Sequence, residues 1–254
     1  MLDLDTIVAH VSGAVTTGDS IDPVAVRFLL SHYAATGRDD LSAVVGDALA
    51  RGLDQHSESP ASDRGEWLLL FADATAWSDD VRIRDVVAQL LPLVDGRAAD
   101  AIEVALRASA AIGDGTRLAS AVDDLERMIG RGYEPGDGVA AADQFAVASA
   151  LLTAFDITGR LPYAMLAEEL VQTAQRRGAE PDDGERACRA AHVLCRLAAL
   201  HEDDAYVGAA VVAPDADYHG GGARLLERHA ARALETPRTA ALYGLALAHW
   251  LRLH

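Results

Sequence analysis

The sequence predicts an all-α chain of about six helical hairpins closed into a ring, an α/α toroid, in a single domain spanning residues 1–254. Three observations carry this expectation. Half of the residues are hydrophobic while aromatics make up only 5%, so the core must be built from Ala, Leu and Val. Ala and Leu are strong helix formers, and runs such as "AIEVALRASAAI" and "AALYGLALAHWL" contain no alternating β-branched pattern that would make a sheet. A two-helix unit also recurs, and the units add up to twelve or thirteen helices, where six hairpins need twelve.

The elements follow in order. An opening helix is expected near residues 2–15. Five hairpins then run through "FLLSHYAATGRDDLSAVVGDALARGL", "LLLFADATAWSDDVRIRDVVAQLLPLV", "EVALRASAAIGDGTRLASAVDDLERMI", "SALLTAFDITGRLPYAMLAEELVQTA" and "HVLCRLAALHEDDAYVGAAV". Each joins an Ala/Leu-rich helix to a more charged one through a polar turn. Two more helices lie in "GGGARLLERHAARALETPRTAALYGLALAHWLRLH". The turns align at Gly37, Ser78, Gly113, Gly159 and Glu202, and the three glycines suit the left-handed conformation that ends a helix. Pro23, Pro60, Pro162 and Pro237 stand where helices should begin, where a missing N–H costs little. An open hairpin superhelix is the alternative architecture, but repeats of the tetratricopeptide kind run about 34 residues. The turns here lie 35 to 46 residues apart, which favours the ring.

Aligning the copies on their turns separates packing positions from candidate functional ones. Seven residues before the turn stand Leu30, Phe71, Leu106, Leu152 and Cys195, and eight before stand Leu29, Leu70, Ala105, Leu151 and Leu194. Both columns are apolar and mark the packed face of each first helix. Ten before stand Arg27, Leu68, Glu103, Ser149 and His192, a mostly polar column rotated away from it.

The charge balance limits the partners. There are 39 acidic and 22 basic residues for a net charge of −17, and the basic residues are all arginine. An acidic surface repels phosphate backbones, so nucleic acid and anionic membranes are poor partners; a small sugar-like ligand or a protein is expected instead. The opening "MLDLDTIVAHVSGAV" has no basic segment ahead of a long apolar core, and no apolar run reaches the roughly 18 residues needed to span a bilayer. A cytoplasmic protein is expected.

The segment "GDGVAAADQFAVASALLTAFDITGRLPYAMLAEELVQTA" resembles the (α/α)6 toroids of the six-hairpin glycosidase-like superfamily. Its nearest likeness is to the helical half of the thioredoxin-fused, spermatogenesis-associated protein type. The motif-like part runs from Asp143 to Leu170, and the thioredoxin-like domain ahead of the toroid in that family has no counterpart in this chain. The resemblance implies a central cavity that opens where the inner helices begin, and a carbohydrate substrate or ligand. Paired carboxylates there could act as general acid and base. The candidate catalytic residues are Asp143, Glu103, Glu66 and His192; the candidate substrate-binding residues are Trp67, Gln144 and His219, the last on a "YHGGG" loop that could cover the cavity. Other acids at these helix starts, among them Asp100, Asp182, Asp183 and Glu185, read more simply as helix caps. A non-catalytic scaffold that binds a protein or peptide is the alternative function, and no cofactor is expected.

No metal site is expected either. Cys188, His192 and Cys195 are the obvious candidates, at i, i+4 and i+7 on one helix. The span from i to i+7 is about 10.5 Å, too long for one ion to take both thiolates at about 2.3 Å. Cys195 also falls in the apolar column, which makes it a small core residue. The acidic pairs Asp79–Asp80 and Asp123–Asp124 sit at a turn and on a charged second helix, away from any cavity.

Overall fold

The computed structural model describes residues 1–94, 98–132, 141–178, 181, 183–210 and 215–253, with backbone only for 131–132 and 141–143. Among these residues the regular structure is entirely helical. In chain order the α-helices are α1 (Leu4–Thr17), α2 (Pro23–Thr36), α3 (Asp39–Gln55), α4 (Arg64–Ala74), α5 (Val81–Leu90), α6 (Ala99–Ile112), α7 (Gly115–Gly132), α8 (Ala141–Thr158), α9 (Leu161–Arg176), α10 (Gly184–His201), α11 (Asp204–Ala209), α12 (Tyr218–His229) and α13 (Pro237–Leu251).

Six of these form a closed inner ring. Helix α2 packs on α4, α4 on α6, α6 on α8, α8 on α10 and α10 on α13, and α13 returns to α2. The architecture is therefore the α/α toroid rather than the open superhelix. Each inner helix carries an outer partner: α3 on α2, α5 on α4, α7 on α6, α9 on α8, α12 on α10 and α1 on α13. The sixth hairpin is thus assembled from the two ends of the sequence, and α11 is a short extra turn between α10 and α12.

The helices begin and end as their residues dictate. Asp3, Asp22, Asp80, Asp183, Asp203 and Asp217 each accept a backbone N–H at a helix start, satisfying a donor that the first turn leaves open. Gly37, Gly113 and Gly159 end α2, α6 and α8 with φ of 64°, 74° and 68°, the left-handed region anticipated at the turns. The second hairpin differs. Helix α4 stops at Ala74 and α5 starts at Val81, so Ser78 lies several residues beyond the helix end and the α4 alignment slips.

Packing follows the two apolar columns. Leu30, Phe71, Leu106, Leu152 and Cys195 are all at most 2% exposed, as are Leu29, Leu70, Leu151 and Leu194. Ring closure depends on one small residue. Gly244 of α13 sits against Phe28 of α2 and Ile7 of α1, and a Cβ there would lie 2.5 Å from Phe28 Cε2. Only a glycine lets the last inner helix approach this closely.

The three glycines of "YHGGG" are helical and do not form a loop. They make the first turn of α12, where a Cβ on Gly220 would collide with the capping Asp217 carboxylate at 2.1 Å. Gly222 faces α10, where a Cβ would stand 3.3 Å from Cys195 Sγ. Cys195 and the glycine run therefore serve one close helix contact.

Candidate functional site

The inner helices run parallel, so their starts share one end of the ring and the hairpin turns share the other. The polar column lines the axis between these ends. Arg27 of α2 donates from Nε to Asp73 of α4 at 2.7 Å, and Arg107 of α6 donates to the other Asp73 oxygen at 2.6 Å. Glu103 of α6 accepts from Thr153 Oγ1 of α8 at 3.0 Å. Arg196 of α10 donates to the same Thr153 oxygen at 3.3 Å, to the Ser149 carbonyl at 3.3 Å and to Asp156 at 2.8 Å. Five successive inner helices are thereby joined by one polar layer.

This layer sets the electrostatics of the axis. Burial would raise the Asp73 carboxyl, but Arg27 and Arg107 outweigh burial and hold it below its ordinary range. Burial works against the Arg107 charge, and neighbouring Arg27 adds to it, so Arg107 is pushed down; Arg27 is raised because Asp73 overcomes its burial. Asp73 is accordingly the anion that makes two closely spaced guanidiniums tolerable.

The end where the inner helices begin is bridged. Glu66 of α4 accepts from Arg189 of α10 at 2.8 Å and from Arg238 of α13 at 3.2 Å. Helices α4 and α10 stand opposite each other, so the Glu66–Arg189 pair spans the ring. Arg238 also pairs with Glu185 at 3.2 Å and with Asp22 at 3.7 Å. Burial would lower the Arg238 guanidinium, but the three carboxylates raise it; burial raises Asp22. The resemblance led to the expectation of an open mouth here; the charges meet across it instead.

His192 faces the axis from α10. Its Nε2 lies 3.2 Å from His249 Nδ1 on α13, with ring centroids 5.0 Å apart. Burial lowers both: His249 is pushed down to about 4, helped by Arg196, and His192 falls well below its ordinary value under burial, His249 and Arg196. Both rings are therefore neutral near pH 7.

The remaining expected site residues fall elsewhere. Trp67 is 2% exposed and turned away from the axis: it stacks on Phe71, packs on Gly52 of α3, and donates to Ser59 Oγ at 2.9 Å. Its bulk is what fills the α3–α4 seam. His219 is in the first turn of the outer helix α12, not on a loop, and stacks on Trp250 with centroids 4.9 Å apart. Gln144 is buried in the first turn of α8. The Asp143 side chain and Asp182 lie outside the described residues. Asp183 is the N-cap of α10, as the capping reading had it. Cys188 and Cys195 are buried, and burial pushes both thiols up to about 12. Such thiols stay protonated and inert. Among the described residues no three His, Cys, Asp or Glu side chains gather as metal ligands.

Sequence reasoning missed Asp73, Arg107, Arg196 and Trp77. The signal for the first two is visible: Asp73 is the one charge in "LLLFADA", and Arg107 stands one helical turn from Glu103 in the otherwise apolar "AIEVALRASAAI". A charge in the middle of a doubly packed helix has nowhere polar to go but the axis.

Among the described residues, open space is found at the hairpin-turn end. A cavity of about 500 Å³ sits between the ends of α2, α4 and α6, lined among others by Ser31, Ala34, Asp73, Thr75, Trp77 and Arg84. It meets the polar layer at Asp73.

No protein-family profile matches the chain, and no curated protein is similar to it. The thioredoxin-fused family therefore gains no support. Among solved structures, the GH76A alpha-1,6-mannanase from Salegentibacter sp. HEL1_6 is similar, with a TM-score of 0.61 and 10% sequence identity over 99% of this chain and 100% of that one. At that identity the likeness is one of fold: this chain has the α/α toroid fold.

Proposed function

We propose that the protein binds a carbohydrate within the ring. The observation that carries this reading is the polar layer of Arg27, Asp73, Glu103, Arg107, Thr153 and Arg196, which joins five successive inner helices inside the ring. Sugar hydroxyls need donors and acceptors held in fixed positions, and side chains already locked to one another provide them without an ordering penalty. The mannanase of the same fold makes an α-1,6-linked mannoside the first ligand to try.

Binding is favoured over cleavage. Glycoside hydrolysis uses two carboxyl groups, one of them able to give up a proton and the other to act as base or nucleophile. Glu66 and Asp73 are each clamped by two guanidiniums. One observation favours a second, hydrolytic reading: Glu103 accepts from a hydroxyl and, among the described residues, Arg27 and Arg107 act on it only through space, without a hydrogen bond. In that reading Glu103 and Asp143 form the acid–base pair.

Calorimetric titration with α-1,6-mannotriose, beside an assay for new reducing ends, separates the two. Saturable binding that weakens at least tenfold in Glu103→Gln, without reducing-end release, supports the binding reading. Release that disappears in Asp143→Ala would replace it with the hydrolytic one. Wild-type protein that takes up no mannoside or other glycan would leave the scaffold alternative.

A further inference from the structure

The cavity at the hairpin-turn end carries features that the polar layer does not use. Trp77 stands at its rim with 55% of its surface exposed, an uncommon position for the largest apolar side chain. Tyr33 meets the ring edge-on with centroids 6.4 Å apart, and the turn that carries it is closed by the Trp77 backbone N–H donating to the Ala74 carbonyl. An exposed indole face suits the apolar C–H face of a flat ligand ring.

Arg84 lines the same cavity from α5 and has no hydrogen-bond or ion-pair partner among the described residues. Its neighbour Arg82 is taken up by Asp80, the cap of α5. Deeper in, Asp73 accepts from Arg27 Nε and Arg107 Nη2, which leaves other N–H donors on both guanidiniums. Arg84 is the arginine that lines the cavity, beside an Asp73 carboxylate already taken up by Arg27 and Arg107, in a protein whose net charge is −17. Charges farther off than about 8 Å are largely screened at physiological salt, so Arg84, and not the net charge, governs what binds. A guanidinium takes a carboxylate or a phosphate through paired N–H donors. The volume of about 500 Å³ falls within the range of about 300–1,000 Å³ usual for small-molecule sites.

We propose that this cavity binds an anionic pyranose, its ring stacked on Trp77 and its carboxylate or phosphate held by Arg84. The proposal rests on the carbohydrate-binding reading and adds where the ligand sits and which charge it bears. It places the site at the hairpin-turn end, opposite the bridged mouth.

The test titrates glucuronate, glucose 6-phosphate and glucose into wild-type protein, Trp77→Ala and Arg84→Gln, followed by calorimetry and NMR. Both substituted side chains are exposed, so melting temperatures close to wild type are expected. At least one anion should bind tenfold or more tighter than glucose, and both variants should lose at least tenfold of that affinity. The stronger of the two anions identifies the recognised group. Glucose binding as tightly as both anions, or anion binding unchanged in both variants, would overturn the proposal. Binding of α-1,6-mannotriose that depends on Glu103 but not on Trp77 or Arg84 would overturn it while leaving the carbohydrate reading intact. Absence of binding by every sugar would remove both.

Discussion

Arg189 on α10 meets Glu66 on α4 at 2.8 Å across the ring, joining residues 123 positions apart in the chain. With Arg238 as a second partner of the same carboxylate, the pair acts as a strut between facing inner helices. Arg189 is 43% exposed and Glu66 15%, so water screens the Arg189 contact. Arg189→Ala is expected to cost about 0–1 kcal/mol, and Glu66→Ala, which strands two guanidiniums, about 1–2 kcal/mol. Urea unfolding of the two variants checks the order.

Asp73 should matter more. It is the carboxylate that pairs with both Arg27 and Arg107, and its loss leaves two guanidiniums facing each other inside the ring. Asp73→Ala is expected to cost about 2–4 kcal/mol, more than either single arginine substitution. The sign with pH follows from its lowered carboxyl: the contribution is present above the ordinary value of 3.8 and is lost as pH falls below it. Acid unfolding curves of the wild type and Asp73→Asn should differ there.

How much of this was legible in the residues is clear from particular positions. The apolar columns placed Leu30, Phe71, Leu106, Leu152 and Cys195 in the core because helical period and burial are local properties. The polar column brought Arg27, Glu103 and His192 to the axis for the same reason. Which side chain each would meet was not legible. Arg189 and Arg238 lie 123 and 172 positions from Glu66, and ring order alone brings them together. The second hairpin misled because its connection, residues 75–80, is longer than the others and shifts the α4 register. That shift is why Glu66 and Asp73 line the axis while Leu68, the aligned residue, is buried. The triple glycine read as a loop because glycine is permissive, whereas its missing side chains are needed for α12 to approach α10.

The two axial histidines give a pH signature. Both are lowered in the folded protein, so the unfolded state binds more protons as pH falls. Their contribution is complete above about pH 6.5 and is lost as pH falls from there toward about 4, the value for His249. For His249 the loss is on the order of 2–3 kcal/mol. The measurement is stability by urea unfolding from pH 7 to pH 4; in His249→Phe the slope over that interval should flatten.

Glu168 holds the short helix α11 and the start of α12 to α9. This buried carboxylate accepts from Tyr206 at 3.0 Å and Tyr218 at 3.1 Å, and lies 2.8 Å from His201 Nε2. Removing it takes the acceptor from the buried Tyr206 hydroxyl and leaves the buried Tyr218 hydroxyl only its bond from Gln172, while the half-buried His201 loses its carboxylate. Glu168→Ala is expected to cost about 3–5 kcal/mol, and Tyr206→Phe about 1–2 kcal/mol, by thermal and urea unfolding.

Gly244 tests ring closure. A methyl group there would stand 2.5 Å from Phe28 Cε2 and 3.1 Å from Ile7 Cγ2. Gly244→Ala is expected to cost about 1–3 kcal/mol through overpacking, although alanine is the better helix former. The double variant Gly244→Ala, Phe28→Leu should recover part of the loss.

The most direct test of sugar binding inside the ring is a titration of α-1,6-mannotriose into a variant whose cavity is filled. Ala111 lines the cavity near its mouth, and Ala111→Trp would occupy the space beside Asp73. The expected result is loss of binding by at least tenfold with the melting temperature nearly unchanged. Undiminished binding in the filled variant would contradict a site at the hairpin-turn end of the ring.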